Sequence, residues 1–339
     1  MADTPGDRPA VITVTDAGLV SVLIVTRDDA QHVEECLRAL RRQEDVRLEV
    51  IGVDNASTDG TAERLEAGAD RVIRSDRNLG YAGGMNAGIA ATTGEFVLTM
   101  NADIFLEPRF ITELLADLEV HPGAAGAGGK LLRPSVPGAS AEIIDNAGGH
   151  ILTPSYALRE RGHGEVDTGQ YNVPGDVLTI PGSAALFRRA ALEDVRDSGG
   201  YFDQDFFAYK EDADICFRLR HRGWTLRYVP AAEARHLRGW GGDRTPGSRA
   251  RVSPLARYHS FKNRHLFILK NARARELLPR LPLVLGHEIA LLVYAILFER
   301  FLLSAYREVW RLAPRMLRRR VRPVPDRRTR SARPGSDGG

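Results

Sequence analysis

The chain has 339 residues, 43% of them hydrophobic, which is enough to bury a full core in one large domain or two closely joined halves. Its net charge of +3 is uneven: ten arginines against two aspartates give residues 311–339 a charge of +8, which leaves −5 for residues 1–310. Because no aromatic residue follows Trp310, the basic end has no platform for stacking bases, so we expect no nucleic acid partner and favour a membrane surface.

Residues 1–19 are predicted to be an N-terminal extension. They lack the basic start and apolar run of a signal peptide, so we expect a cytoplasmic protein at the inner face of the cell membrane. Cys36 and Cys216 each lie within the apolar pattern of a predicted helix, which argues against a disulfide framework or a zinc site.

Strands and helices alternate from residue 21. The predicted strands cover residues 21–27, 48–55, 71–76 and 95–103. A helix with an apolar stripe follows the first strand, and another, at residues 86–92, follows a glycine loop. This alternation predicts an α/β fold with a doubly wound sheet, in which ligands bind beyond the carboxyl ends of the strands.

Polar residues follow three of these strands. They are Thr26 to Asp28, then Asp54, Asn55 and Ser57, then Asn101 and Asp103. A single aspartate after a strand is most often a cap or turn residue, but three polar strand ends at one sheet edge favour a binding site.

The second half of the chain is less regular. Residues 134–176, rich in proline and glycine, are predicted to be an insertion or hairpin that covers the sheet. Residues 176–189 and 224–230 have strand character, and residues 233–242 predict a glycine-rich loop that contains His236.

The stretch FFAYKEDADICFRLR, residues 206–220, begins with acids and continues as an apolar helix. Asp212 shares a helical face with Ile215 and Leu219, so it is predicted to point inward or into a cleft. Glu211 and Asp212 also fit helix capping. Asp214 precedes Arg218 by four residues, which predicts a solvated helix pair, and Asp203 is predicted to lie in a structural turn.

Several blocks together resemble the family 2 glycosyltransferases, and among them the bacterial rhamnosyltransferase-like members. The resemblance covers residues 20 to about 270 and is borne by these blocks in this order: VSVLIVTRDDAQHVEECLRAL, EVIGVDNASTDGT, NLGYAGGMNAGIAATTGEFVLTMNADI, YFDQDFFAYKEDADICFRLRHRGWTLRYVP and ARH. It implies a GT-A fold with a Rossmann-like mixed sheet over residues 20–250, divided into a nucleotide-binding half (20–105) and an acceptor half (106–250).

The resemblance also implies a function, the inverting transfer of a sugar, with L-rhamnose as first choice, from a dTDP- or UDP-sugar to a glycan or lipid-linked saccharide. Asp212 would be the catalytic base and Glu211 would orient it or the acceptor. Asp103 and His236 would bind Mg²⁺ or Mn²⁺. The donor would contact Thr26, Asp54, Asn55, Ser57, Asn78, Gly80, Gly83 and Asn101. Two departures from the family pattern are Asn101, where stricter members have an acid, and VTRDD, where VTYN is usual.

Two other functions stay open at this point. A non-catalytic nucleotide-sugar-binding protein would not need Asp212. A sugar-phosphate nucleotidyltransferase would be expected to have a glycine-rich basic loop after the first strand, where this chain reads TRDDAQH.

Residues 251–315 are predicted to be a helical region that packs on the domain or associates with a membrane. Leu285, Ile289, Val293 and Ile296 form one apolar face of amphipathic helix. The longest uncharged run, Ile289 to Phe298, has ten residues, which predicts that no helix spans the bilayer. Residues 316–339 are predicted to be a disordered basic tail.

Overall fold

The structure is a computed structural model and describes residues 18–134, 141–237 and 253–322. Most of the predicted N-terminal extension and of the predicted basic tail lies outside these residues.

The described residues form twelve strands and ten α-helices. The strands are β1 (Val20–Thr26), β2 (Leu48–Asp54), β3 (Arg71–Arg74), β4 (Phe96–Met100), β5 (Ile104–Leu106), β6 (Ala124–Leu132), β7 (Ile144–Ala147), β8 (His150–Leu152), β9 (Leu158–Glu160), β10 (Gly175–Asp176), β11 (Ala184–Arg188) and β12 (Thr225–His236). The helices are α1 (Ala30–Arg41), α2 (Thr61–Glu66), α3 (Gly80–Ile89), α4 (Phe110–Val120), α5 (Arg189–Val195), α6 (Glu211–His221), α7 (Pro254–Asn271), α8 (Ala274–Leu277), α9 (Leu281–Leu297) and α10 (Leu303–Arg318). Short 3₁₀ turns lie at Gln204–Phe206, Leu278–Arg280 and Arg300–Leu302.

The main sheet is mixed, with the order β10-β12-β6-β11-β4-β1-β2-β3. β1 is parallel to β2 and β4, and β12 is parallel to β6, whereas β11 lies antiparallel between β4 and β6. The four strands predicted in the first half are β1 to β4. Thr26 is paired with Asp54 and Ile24 with Met100, so the three polar strand ends meet at one edge.

β1 is apolar throughout because both its faces are covered, as is usual for a strand inside a sheet with helices on both sides. Val22 and Ile24 lie in the cluster that includes Val33 of α1, and Leu23 lies in the opposite cluster with Met85 of α3 and Ile215 of α6. α6 is therefore fixed to the sheet through its apolar face, the face on which Asp212 was expected.

The C-terminal helices pack against α6. Phe206 and Phe217 share a buried cluster with Phe267 of α7 and with Val309 and Met316 of α10. α7 and α10 are thus part of the body of the protein.

A buried ionic network joins α6 to these helices. Asp214 accepts hydrogen bonds from Arg218 Nε at 2.9 Å, Lys270 Nζ at 3.0 Å and Asn271 Nδ2 at 2.8 Å. Asp203 accepts from Lys270 at 2.6 Å and from Arg319 at 2.6 Å. The prediction of a solvated Asp214–Arg218 pair is wrong about its environment, because α7 covers the pair and leaves both side chains buried. Asp203 caps the turn at Gln204–Phe206, as a turn residue would, but it too is buried.

Two further predictions are corrected. The predicted glycine loop is the start of α3, since the helix begins at Gly80 and its glycines let it pack tightly: a Cβ on Gly84 would lie 2.6 Å from Val25. His236 is the last residue of β12 rather than a loop residue, because residues 225–236 form one strand beside β6.

The apolar face predicted for residues 281–297 points away from the protein. Leu285, Ile289, Val293 and Ile296 are all exposed. Within the described ranges, one helical stretch, Ala274–Leu297, is long and apolar enough by length and composition to cross a membrane. This finding differs from the prediction that no helix spans the bilayer, which was made from the length of the longest uncharged run. A few charged residues do not make a stretch of 24 residues polar on average.

Candidate active site

A cavity of about 350 Å³ opens at the carboxyl ends of β1, β2 and β4. One wall comes from these strand ends, another from residues 207–212, and a third from the first turns of α7. Nine of the twelve predicted site residues line it: Thr26, Asn55, Asn78, Gly80, Asn101, Asp103, Glu211, Asp212 and His236. Segments far apart in sequence therefore meet in one cavity.

Asp54, Ser57 and Gly83 do not line the cavity. The Asp54 carboxylate is buried and accepts the backbone N–H of Ser57 at 3.3 Å, while Ser57 Oγ accepts the N–H of Asp28 at 3.0 Å. These bonds fasten the turn after β2 to the turn after β1. Gly83 lies inside α3, where a Cβ would be 2.8 Å from Leu79. A direct donor contact for these three residues stays a prediction.

Asn55 and Asn78 position the start of α3. Asn55 Oδ1 accepts the N–H of Leu79 at 2.7 Å, and Asn78 Oδ1 accepts the N–H of Gly80 at 2.9 Å. Gly80 has φ +71°, and a Cβ there would lie 2.5 Å from the carbonyl oxygen of Phe207. Only glycine fits this close approach, which brings α3 to the cavity wall.

Sequence reasoning missed one residue near the first strand end, Asp29. Asp29 lines the cavity and accepts a hydrogen bond from Thr26 Oγ1 at 2.8 Å. Burial, together with the charge of Asp103, raises the pKa of Asp29. Arg27, which belongs to the unusual VTRDD segment, also lines the cavity and pairs with Asp28 at 3.5 Å.

His236 lies between two carboxylates. Its Nε2 is 3.5 Å from Asp103 Oδ2, and its Nδ1 is 2.8 Å from Oδ2 of the buried Asp145. Burial lowers the pKa of His236, but the hydrogen bonds and charges of Asp103 and Asp145 outweigh it and raise the pKa to about 9. Sequence reasoning missed Asp145 because residues 134–176 were interpreted as an insertion that covers the sheet. An aspartate that directly follows two isoleucines, in EIIDNAG, could have indicated a functional residue.

Asp103 and His236 suit a divalent cation. Oxygen-binding cations such as Mg²⁺ often take one or two carboxylates from the protein and the remaining ligands from phosphates and water. Metal-binding histidines are usually oriented by a hydrogen bond that the far ring nitrogen donates to a carboxylate, as His236 Nδ1 does here to Asp145. The described residues contain no cluster of three or more His, Cys, Asp or Glu arranged for a metal. A cation held by Asp103 and His236 would take its remaining ligands from phosphates and water.

Asp212 is fixed at the first turn of α6. Its Oδ2 accepts the N–H of Gly182 at 3.2 Å and its Oδ1 accepts the N–H of Ala213 at 2.8 Å. Gly182 lies so close that a Cβ on it would be 2.6 Å from the Asp212 Cβ. Tyr81 donates to the Gly182 carbonyl at 2.7 Å and keeps this segment in place.

Glu211 lines the same cavity but is 6% exposed. Among the described residues, no hydrogen-bond partner meets its Oε2. Burial, together with the charge of Asp212, raises the pKa of Glu211 well above its usual value. Burial and the charges of Glu211, Asp212 and Asp103 likewise raise the pKa of Tyr81.

The loop before α6 has a strained backbone. Phe207, Tyr209 and Lys210 have φ of 67°, 72° and 69°, the left-handed region that costs non-glycine residues about 1–2 kcal/mol each. Asn263 of α7 donates to the carbonyls of residues 206, 208 and 209 at 2.7 to 2.8 Å.

Two further contacts join this loop to α7. His259 stacks on Phe207 with 4.7 Å between ring centroids, and the Lys210 ammonium donates to Ser260 Oγ at 2.9 Å. α7 therefore stabilises the loop that positions Glu211 and Asp212, a role that sequence reasoning did not assign to it.

Comparisons with known proteins agree with this geometry. The model of glycosyl transferase family 2 matches residues 21–196, just over half of the chain. An N-acetylglucosaminyl-diphospho-decaprenol L-rhamnosyltransferase of Mycobacterium tuberculosis is 29% identical over 73% of this chain and 85% of its own length. A pre-mycofactocin glycosyltransferase of the same organism is 29% identical over 85% of this chain, which spans only 58% of that relative.

Two solved structures share the fold. A mannosyltransferase of Pyrobaculum calidifontis, in complex with GDP-Man and Mn²⁺, superposes with a TM-score of 0.51 and 19% identity over 88% of this chain and 75% of its own. GalNAc-T7 with UDP, GalNAc and Mn²⁺ gives a TM-score of 0.55 at 16% identity, over 75% of this chain and 48% of its own. The predicted fold class, a GT-A type mixed sheet followed by C-terminal helices, is confirmed.

Proposed function

Because the chain belongs to the family 2 glycosyltransferases, we propose that it is an inverting enzyme that moves a sugar from a nucleoside-diphosphate sugar to a hydroxyl group. One observation supports this most: the fixed carboxylate of Asp212 opens onto the same cavity as Asp103 and His236. A proton acceptor and a binding site for a diphosphate-bound cation are what a single displacement at the sugar requires.

Asp212 is the general base. Its carboxylate takes the proton of the acceptor hydroxyl while the acceptor oxygen bonds to C1 of the sugar and the bond from C1 to the diphosphate oxygen breaks. The bonds from the N–H groups of Gly182 and Ala213 hold the carboxylate in one position for this transfer. Glu211 lies beside the base, and its burial raises its pKa and so favours the protonated form, in which it can donate a hydrogen bond toward the substrate.

The donor lies along the edge formed by β1, β2 and β4. Thr26, Asn55 and Asn101 line this part of the cavity. Asp103 and His236 would hold Mg²⁺ or Mn²⁺, and that cation would supply positive charge near the leaving diphosphate. Asp145 orients the ring of His236 for that role.

The donor sugar is L-rhamnose on dTDP, or another sugar on dTDP or UDP. Support comes from the rhamnosyltransferase of M. tuberculosis, whose name also indicates a lipid-diphosphate saccharide as its substrate. At 29% identity this likeness suggests a sugar and an acceptor for testing.

A thermal-shift panel of nucleotide sugars, with and without Mn²⁺, tests the donor. A donor at 100 times its dissociation constant adds roughly 2.7 kcal/mol to stability. We expect dTDP- or UDP-sugars to raise the melting temperature more with Mn²⁺ than without it. Equal stabilisation by nucleoside triphosphates and sugar phosphates would instead favour a nucleotidyltransferase.

Asp212→Asn tests the mechanism. We expect turnover, followed as release of the nucleoside diphosphate, to fall by about 10²- to 10⁴-fold while donor binding stays within about twofold. Asp176→Asn is the matched control, because Asp176 pairs with Arg227 outside the cavity, and it should keep full turnover. Undiminished transfer by the Asp212 variant would exclude Asp212 as the base, and donor binding without turnover in the wild type would favour a non-catalytic binding protein.

A further inference from the structure

α9 exposes an apolar surface to solvent. We define the α9 surface by six side chains that are 47% to 71% exposed: Leu283, Leu285, Ile289, Val293, Leu297 and Phe298. Surfaces of this kind are rare on soluble monomers unless a partner or a membrane covers them.

Only a narrow stripe of α9 faces the protein. Val284 and Ala295 are buried, and Glu288 and Leu291 between them are partly buried. The spacing of three to four residues places all four on one side of the helix, so the rest of its circumference is free for another contact.

Acidic and basic side chains lie on different sides of the helices around this surface. Residues 253–322 contain four glutamates, and each has a partner on the protein side. The partners are Tyr156 for Glu276, Arg264 and His265 for Glu288, Arg257 for Glu299, and Tyr258 and Lys262 for Glu308. The outer side instead presents arginines.

Arg300, Arg307 and Arg318 are exposed. Trp310, which is 77% exposed, shares a face of α10 with Arg307 and Arg318 by helical spacing. An apolar helix face flanked by arginines and an aromatic residue matches the interface of a bilayer with anionic lipid. A second copy of the chain would bring arginines against arginines, so this charge distribution favours lipid over self-association.

The same contacts indicate how α9 is oriented. Glu288, midway along the helix, accepts hydrogen bonds from Arg264 and from His265 Nε2, the latter at 2.7 Å, both on α7. Crossing a bilayer would separate these half-buried charges from their partners, which is costly. α9 therefore lies along the protein, with one side on α7 and the other available to lipid.

α7 connects this surface to the cavity. Leu255, Ala256 and His259 line the cavity, and Arg264 and His265 lie one to two turns further along the same helix. We infer that the α9 surface and the arginines beside it bind an anionic bilayer with α9 in the plane of the membrane, and that this contact places the cavity next to an acceptor carried by a lipid. The second half of this inference depends on the proposed function.

Vesicle binding by the full chain tests the surface. The variant Leu285→Gln/Ile289→Gln/Val293→Gln should partition onto vesicles of phosphatidylcholine and phosphatidylglycerol at least about 100-fold less than the wild type, because three apolar contacts are lost. The matched control, Val120→Gln/Ile151→Gln/Val173→Gln, alters three exposed apolar residues on other elements and should bind like the wild type. Equal binding by both variants would overturn the inference.

Charge and depth are measured separately. Each of Arg300→Gln, Arg307→Gln and Arg318→Gln should weaken binding roughly 5-fold on phosphatidylglycerol vesicles and leave binding to pure phosphatidylcholine unchanged. Nitroxide labels are attached through Leu283→Cys or Leu297→Cys, and the native Cys36 and Cys216 are buried and so are not labelled. If α9 lies in the membrane plane, the two labels should report equal depth. A depth difference of about 21 Å, the length of 14 helical residues, would show a spanning helix and overturn the in-plane arrangement.

Self-association is the remaining alternative. Light scattering without lipid should give the same monomer mass for the wild type and the triple α9 variant. A dimer that the variant abolishes, together with unchanged vesicle binding, would overturn the inference.

Activity tests the link to the acceptor. Donor hydrolysis should be equal in the wild type and the triple α9 variant, whereas transfer to a polyprenyl-diphosphate saccharide in vesicles should fall at least about 10-fold in the variant only. Equal loss of both activities would indicate a structural role for α9 and refute the acceptor placement. A wild type that neither hydrolyses donor nor transfers sugar would refute the proposed function. The vesicle-binding experiment would still show whether the α9 surface binds lipid.

Discussion

Replacing Asn263 with alanine is expected to release the strained loop before α6. The two N–H groups of the Asn263 amide serve three carbonyls, those of residues 206, 208 and 209, so one N–H is shared, and no alanine atom can replace them. At about 1 kcal/mol for each N–H donor, the variant should lose roughly 2 kcal/mol of unfolding free energy. That is a large part of the 5–15 kcal/mol typical of a domain.

The effect should extend to catalysis. Phe207, Tyr209 and Lys210 occupy left-handed conformations at a cost of about 1–2 kcal/mol each, so an unpinned loop gains free energy by relaxing. Because Lys210 immediately precedes Glu211, relaxation would move both acids at the start of α6. We expect at least about a 10-fold loss of turnover.

Urea denaturation and nucleoside diphosphate release measure the two effects. Asn271→Ala on the same helix is the matched control, because Asn271 donates a single bond, 2.8 Å long, to Asp214 and does not contact the loop. Because this bond goes to a buried carboxylate, the control should lose about 1.5–3 kcal/mol, similar to the loss expected for Asn263→Ala, but keep its turnover. An Asn263 variant that is as stable as the wild type, or less stable but fully active, would refute the role assigned to α7.

Three further predictions concern the cavity. Glu211→Gln should be more stable than the wild type at pH 8 but not at pH 4. Above about pH 4.5 the folded state keeps the Glu211 proton whereas the unfolded state loses it, so the unfolding free energy of the wild type falls with rising pH by up to about 1.4 kcal/mol per unit. Glutamine does not titrate and avoids this loss. Asp145→Asn should raise the Mn²⁺ concentration needed for activity by about 10- to 100-fold, since it weakens the bond that orients His236. Gly182→Ala should lower turnover about 10-fold or more, because its Cβ would displace Asp212.

Each of these has a contrary outcome. Thermal melts measure the stability difference between Glu211→Gln and the wild type. A difference that stays constant between pH 4 and pH 8 would show that Glu211 does not retain its proton. An unchanged Mn²⁺ titration for the Asp145 variant would remove its orienting role. Gly175→Ala is the control for Gly182, because a Cβ at Gly175 meets no atom within 4 Å, and equal turnover of both variants would contradict the steric argument.

The sequence predicted those parts of the site that depend on local pattern. Continuous apolar runs predicted β1 and β2, and adjacent parallel strands bring their polar ends together, so Thr26 and Asn55 were expected at one sheet edge, where both line the cavity. Helical spacing predicted the inward direction of Asp212, because a face made of Ile215, Cys216 and Leu219 has to be buried.

What the sequence did not predict depends on contacts between distant segments. His236 meets Asp145 across 91 residues, and Asn263 meets the loop before α6 across more than 50. Arg218 could be paired with Asp214 from their spacing, but Lys270, 56 residues further on from Asp214, decides that the pair is buried. No periodicity within one segment contains this information.

The buried network of Asp203, Asp214, Lys270 and Arg319 has a consequence for the architecture of the enzyme. A chain cut before α10 would remove Arg319, one of the two cations that bind Asp203, and would leave Lys270 alone with Asp203 and Asp214. It would also uncover the apolar cluster that Val309 and Met316 share with Phe206 and Phe217. The C-terminal helices and the cavity consequently form one folding unit, and removal of the last helix is expected to destabilise α6, the helix that positions Asp212.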